Sequence, residues 1–180
     1  MNCMKTHRNG RAMTYYKGKI FSLAEENATI KGRHVRVAVI RENDAVVVLP
    51  LLGKGTLVLE EQYRPVVRKR IYELPAGHIE KGETPEHAGR RELKEELGYR
   101  IASMKFMFKA YPQPGTVTSM HYFYYAKCSK SGKPAPEENE DIIAKRVTLG
   151  KALEMIKANK IIDTKSIAAI LYYVNFAKQK

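Results

Sequence analysis

The chain has 180 residues, 44% apolar and 28% charged, which is the composition of one ordinary globular domain and excludes a disordered or fibrous chain. No apolar run approaches the ~18–20 residues of a membrane span, and the basic N-terminus MNCMKTHRNGRAM has no apolar stretch behind it, so neither a membrane protein nor a secreted one is expected. The formal net charge of +13 suits either a nucleic-acid binder or a basic field that draws in small anions.

The distribution of that charge separates the two readings. Lys5, Arg8, Arg11, Lys17 and Lys19 make a loose basic N-terminus, and Arg64, Arg68, Lys69 and Arg70 make one local cluster. No helix-turn-helix, zinc-finger or aromatic RNP-type motif accompanies them, so nucleic acid is not the expected partner. Cys3 and Cys128 stand alone, without CxxC spacing, and read as free thiols in a reducing, cytoplasmic compartment.

In chain order, residues 1–13 read as frayed. KGKIFSL and HVRVAVIREN read as strands, with Asn27 and Gly32 punctuating the span between them. DAVVVLPLL is a continuous apolar run that ends at Gly53, as in a strand buried on both faces. TLVLEEQYR follows as a strand that Pro65 stops, and RIYELPAGHI as a short strand entering a Pro-Ala-Gly turn. A helix then starts at Thr84 as N-cap, with Pro85 at its first position and Glu86 in its first turn, and stops at Gly98. SMKFMFKAYP, SMHYFYYAKC and IIAKRVTL read as further strands, SKSGKPAPEENED as a polar loop, and GKALEMIKANK and DTKSIAAILYYVNFAK as two terminal helices. Strands, one central helix, more strands and terminal helices make an α+β domain without internal repeats.

The central helix carries a paradox. Glu92, Glu95 and Glu96 fall within about a 100° arc, where like charges at i,i+4 oppose the helix by about 0.2–0.5 kcal/mol each. A solvated acidic face with Lys and Arg neighbours is the bland explanation. The surroundings favour another. Gly77 follows Pro75-Ala76, where a carbonyl can point into a cleft, and Glu83 lies just before the N-cap. Carboxylates from one helix face and a loop carbonyl are the oxygen set a hard cation such as Mg²⁺ takes, with substrate phosphates completing its shell.

Gly77, five residues, Glu83, seven residues, then Arg91-Glu92-Leu93-x-Glu95-Glu96-x-Gly98-Tyr99 resembles the Nudix box. Tyr99 stands where that signature has a bulky apolar residue. EQYRPVVRKRIYELPAGHIEKGE before the box, YPQPG after it and IIDTKSIAAILYY near the C-terminus resemble the ADP-ribose pyrophosphatase subgroup of Nudix hydrolases. The resemblance spans about residues 15–175. It implies an α/β/α sandwich with a mixed β-sheet, preceded by a small N-terminal β-strand domain. Residues 1–42 would be the N-terminal strand and dimerisation segment, and 43–180 the hydrolase domain of a homodimer.

The resemblance also implies roles. Glu92, Glu96 and the Ala76 carbonyl would bind Mg²⁺, with Mn²⁺ as a substitute. Glu95 would ligate through water or serve as a base, and Arg91 would brace Glu83 or Glu95. Arg64 would meet a phosphate, Arg36 would contact the adenine, and Glu73 would support the loop structurally. The implied reaction is hydrolysis of a nucleoside-diphosphate sugar, ADP-ribose giving AMP and ribose 5-phosphate. Another sugar nucleotide such as GDP-mannose, or a catalytically weak nucleotide- or RNA-binding module, are the alternatives.

One departure stands out. Where the family often has a glutamate base after the Pro-Gly loop, this chain has GTVTSMHY, and Ser119 cannot deprotonate water unaided. Glu140 in the EENED loop is the expected base, with Glu137, Glu138 and Asp141 as neighbours in a run that otherwise reads as solvated. His121 is the weaker alternative, since a lone histidine in an aromatic strand more often packs in a core.

Overall fold

Four consecutive residues, Val46, Val47, Val48 and Leu49, have no solvent exposure, so the strand that carries them is covered on both faces. The computed structural model describes residues 13–53, 55–130, 132–136 and 140–178. The expectation of a frayed N-terminus therefore falls mostly on residues 1–12, outside the described residues, as do Glu137 and Glu138. The described chain divides into two units.

The first unit runs to Asp44 and includes Ala110–Met120. Its sheet is β1 (Met13–Lys17), β2 (Phe21–Ile30) and β3 (Arg33–Glu42), antiparallel and in that order. The expected strand KGKIFSL is corrected here. Lys17 ends one strand, Phe21 begins the next, and β2 continues through Asn27 to a turn at Lys31 and Gly32, both with positive φ. Asn27 pairs with Arg36 in the ladder and does not punctuate it. A two-residue turn in the left-handed region matches the twist of flanking strands, which is why the chain reverses at Gly32 instead. Ala110–Met120 is stitched to β3: Ile40 N donates to Thr116 O at 2.8 Å and Thr118 N to Ile40 O at 3.0 Å.

The second unit holds a mixed sheet in the order β10 (Ile142–Thr148), β5 (Thr56–Arg64), β4 (Ala45–Leu51), β9 (His121–Lys130) and β8 (Tyr99–Ala110). β6 (Lys69–Glu73) pairs with β5, and β7 (Ala76–His78) with β4. β4 and β9 are parallel, Val47 opposite Phe123 and Val48 opposite Tyr124. The other registered pairs in the sheet are antiparallel.

Helices cover the two faces. Val46, Val48, Val58 and Ala126 pack with Ala88, Leu93 and Leu97 of α1 (Pro85–Leu97). Gly89 brings α1 close to the sheet, since a Cβ there would meet Met104 Cε at 2.5 Å and Val48 Cγ2 at 2.9 Å. Side chains alternate along a strand, so Phe123 and Tyr125 face the other way. There they meet Tyr172 and Tyr173 through Phe108 and a direct edge contact, at the end of α3 (Thr164–Tyr172) and the π-helical turn Tyr173–Ala177 that follows. α2 (Leu149–Lys157) packs against α3. No helix among the described residues is long and apolar enough to cross a membrane.

Candidate active site

α1 begins and ends as its sequence dictates. Thr84 Oγ1 accepts from His87 N at 3.2 Å, and Gly98 closes the helix at φ 65°, its N–H reaching Leu93 O and Lys94 O. Both ends are local chemistry. They fix the helical phase, and the phase sorts the acids: Leu93 and Leu97 enter the core, Glu92 and Glu96 sink to 9% and 5% exposure, and the Glu95 side chain stays 46% exposed. The three are thus one strip in sequence but two environments in space.

Arg91 binds that strip to the turn before it. Its Nε and Nη2 donate to Glu83 at 3.2 and 3.1 Å, and its Nη1 to Glu92 Oε1 at 2.7 Å and Glu95 Oε2 at 3.2 Å. Nη2 also reaches the His78 carbonyl at 3.0 Å. Burial works against the Arg91 charge, but the bonds and charges of Glu83 and Glu92 outweigh it and hold the guanidinium protonated. Glu83, bonded to Arg91, is held below the usual carboxylate range. Burial pushes Glu92 up despite Arg91.

Gly77, on β7 opposite Val46, lies directly under the Glu92 carboxylate. A Cβ there would stand 1.9 Å from Glu92 Oε1. Ala76 precedes it, opposite Val47. The backbone at this point is therefore pressed against a metal-binding type of side chain, with no room for a larger residue.

A fourth acid completes the cluster. Glu60, in the middle of β5, is 1% exposed and lies near enough to Glu96 for each carboxyl to act on the other. Burial, and the repulsion of Glu60, Glu92 and Glu140, hold the Glu96 proton far above the usual carboxylate range; Glu60 is raised by burial too. Among the described residues Glu60 Oε1 and Glu96 Oε2 are buried with no donor. An orphaned buried oxygen costs about 1–3 kcal/mol, and a charged one more. Two facing acids of this kind need a proton or a cation between them. A hard divalent ion suits the all-oxygen donor set. Among the described residues no three His, Cys, Asp or Glu side chains stand together as a group that could hold a metal ion.

Glu60 escaped the sequence reading, although it carried a signal: a charged residue inside a strand whose neighbours Leu57, Val58 and Leu59 are all buried. Glu140 lies near enough for its charge to act on Glu60, Glu92 and Glu96. Asp141, next to it, is instead ion-paired to Arg70. Arg64 is engaged through Nε and Nη2 by the buried Glu73 at 2.7 and 3.0 Å. His121 opens β9 opposite Ala45, partly buried, its ring 6.3 Å from that of Phe123. In the first unit, Arg36 pairs with Glu25 at 3.0 Å, and the buried Ser119 hydroxyl donates to Glu42 Oε1 at 2.7 Å.

A layered α/β unit with helices on both faces, Gly77 on β7, Glu83 in the turn after it, and Arg91, Glu92, Glu95 and Glu96 on its central helix matches one known family. The NUDIX domain model covers residues 34–169, and the chain belongs to the Nudix family of hydrolases. It is 31% identical over 160 residues to an ADP-ribose pyrophosphatase of Bacillus subtilis, covering 87% of this chain and 86% of that one. It is equally similar, over the same shares, to a methanol dehydrogenase activator of Bacillus methanolicus. A GDP-mannose pyrophosphatase of Escherichia coli O1:K1 / APEC is 33% identical over 149 residues, 78% of each chain. A solved structure titled as an ADP compounds hydrolase shares the fold with a TM-score of 0.79 at 20% identity, covering 99% of this chain and 97% of that one.

Proposed function

We propose that the protein hydrolyses the diphosphate of ADP-ribose to AMP and ribose 5-phosphate with Mg²⁺. The observation that carries this reading is the buried Glu60–Glu96 pair with its orphaned oxygens beside Glu92 and Gly77, an all-oxygen donor set of the kind a hard cation takes. Glu92, Glu96 and the Ala76 carbonyl are the residues that would hold the ion, with Mn²⁺ able to replace it. When bound, Mg²⁺ neutralises diphosphate oxygens and acidifies a water.

The chain's own groups do the rest. Arg91 keeps Glu83 charged and ties Glu83, Glu92 and Glu95 in place. Glu140 would take the proton of the attacking water, since its charge already acts on the acidic cluster. Arg64, held by Glu73 along its Nε/Nη2 edge, would offer Nη1 to a phosphate oxygen. Water attacks one phosphorus, the bridging P–O bond breaks, and the electron pair leaves on the departing phosphate. Arg36 would contact the adenine.

We place residues 43–180 as the hydrolytic domain of a cytoplasmic homodimer and residues 1–42 as its dimerisation segment. Tyr15, Tyr16, Phe21 and Ile30 on the first sheet and Ile20 in its first turn, all exposed, support such a contact. The similarity to GDP-mannose pyrophosphatases favours GDP-mannose as the second substrate to test. The deciding experiment is a panel of nucleoside-diphosphate sugars with Mg²⁺, read as product phosphate after phosphatase treatment. ADP-ribose turnover lost in Glu96→Gln supports the reading. Salt-sensitive RNA binding with no hydrolysis of any panel member overturns it.

A further inference from the structure

A second polar cluster borders the acidic one, built by the amino end of α3. Glu73, 2% exposed, accepts from Arg64 through both carboxylate oxygens and also from Lys165 Nζ. Lys165 Nζ meets Asp163 Oδ1 at 3.0 Å. Asp163 caps α3 by accepting from Ser166 N at 3.0 Å, and Ser166 Oγ accepts from Leu74 N at 2.7 Å. Three residues of one helix start, Asp163, Lys165 and Ser166, thus clamp the chain at Glu73 and Leu74, immediately before Pro75 and Ala76.

The charges explain why a lysine belongs there. A lone Arg–Glu pair is neutral, and a buried one offers a phosphate little attraction. A second cation on the same carboxylate shares the Glu73 charge, so that Arg64 is not alone in answering it, and Asp163 in turn balances Lys165. The cluster's field also reaches the acids: Lys165 acts on Glu60, and Arg64 interacts with Glu96.

We propose that Lys165 is a positioning residue: it holds the Glu73 carboxylate in place, so that Arg64 stays fixed toward the anionic end of a diphosphate substrate. This rests on the pyrophosphatase reading above. The competing explanation is an ion network that only stabilises the fold.

A double-mutant cycle of Lys165→Met and Arg64→Lys on the full chain separates them. If Lys165 acts through Arg64, K165M raises KM for ADP-ribose about tenfold, the loss of one charge-assisted contact, while kcat falls much less. In the R64K background the same change should move KM less than about twofold, because the group it positions is already lost. Equal effects in both backgrounds, or a lower melting temperature with KM unchanged, overturn the proposal. If K165M does not fold, Lys165→Gln, which keeps a donor to Glu73 without the charge, carries the cycle under the same criteria. Wild-type turnover and its loss in E96Q, measured alongside, report on the pyrophosphatase reading alone. Their failure overturns both claims, whereas an additive cycle with an active wild type overturns only the role of Lys165.

Discussion

Replacing Gly77 with alanine tests the proposed metal site without substituting any charged group. The new Cβ would stand 1.9 Å from Glu92 Oε1 and 2.2 Å from its Cδ, and Cβ contacts below 3.0 Å essentially do not occur. The carboxylate must therefore retreat by about 1 Å, which removes Oε1 from its 2.7 Å bond to Arg91 Nη1. Gly77 is not among the glycines with positive φ, so alanine fits the backbone and the cost falls on the side chain. Crowding and the weakened charge-assisted bond together should cost about 1–3 kcal/mol of stability. A ligand displaced by about 1 Å should cost roughly 10²-fold in kcat/KM. The assay is initial rate against Mg²⁺ concentration, with melting curves on the same samples. Gly89→Ala is the control: its Cβ collides with Met104 and Val48 in the core, so it should melt lower yet keep its activity per folded molecule. A G77A enzyme within about threefold of wild type at every Mg²⁺ concentration would refute the argument that Glu92 must sit where it does.

Glu96→Gln should abolish turnover by about 10²-fold or more, yet melt no lower than wild type in EDTA, because an amide relieves the buried repulsion with Glu60. Without divalent metal, the wild type should lose stability as pH rises: a carboxyl raised in the folded state favours the fold below its ordinary value near 4.5 and loses that contribution as pH climbs through the raised one. Melting curves with EDTA and with Mg²⁺ from pH 6 to about 9 measure this, and added Mg²⁺ should flatten the slope. Glu73 behaves in the opposite sense. Burial raises it, but Arg64 and Lys165 outweigh burial, so its net shift is downward and its stabilisation is lost as pH falls through the lowered value. Glu73→Gln should reduce the acid-side slope of denaturant midpoints below about pH 4.5. Leu93→Ala, which empties a fully buried site between α1 and the sheet, should cost about 2–5 kcal/mol in chemical denaturation.

What the sequence determined by itself was local. Thr84, Pro85 and Gly98 set both ends of α1, since capping groups satisfy amides and carbonyls within a few residues. That phase placed Glu92 and Glu96 on one strip, and the spacing from Gly77 to Gly98 made the family legible. The apolar run at β4 marked a strand covered on both faces. Only the tertiary structure could bring Glu60 of β5 against Glu96 of α1, because their contact depends on how a helix and a strand from distant parts of the chain pack. The same holds for Arg64, whose expected phosphate-binding fork is half taken by Glu73, and for Lys165, whose partner lies far back along the chain. Charge pattern announces that acids gather; packing decides which of them are buried, which face one another, and which cation answers them.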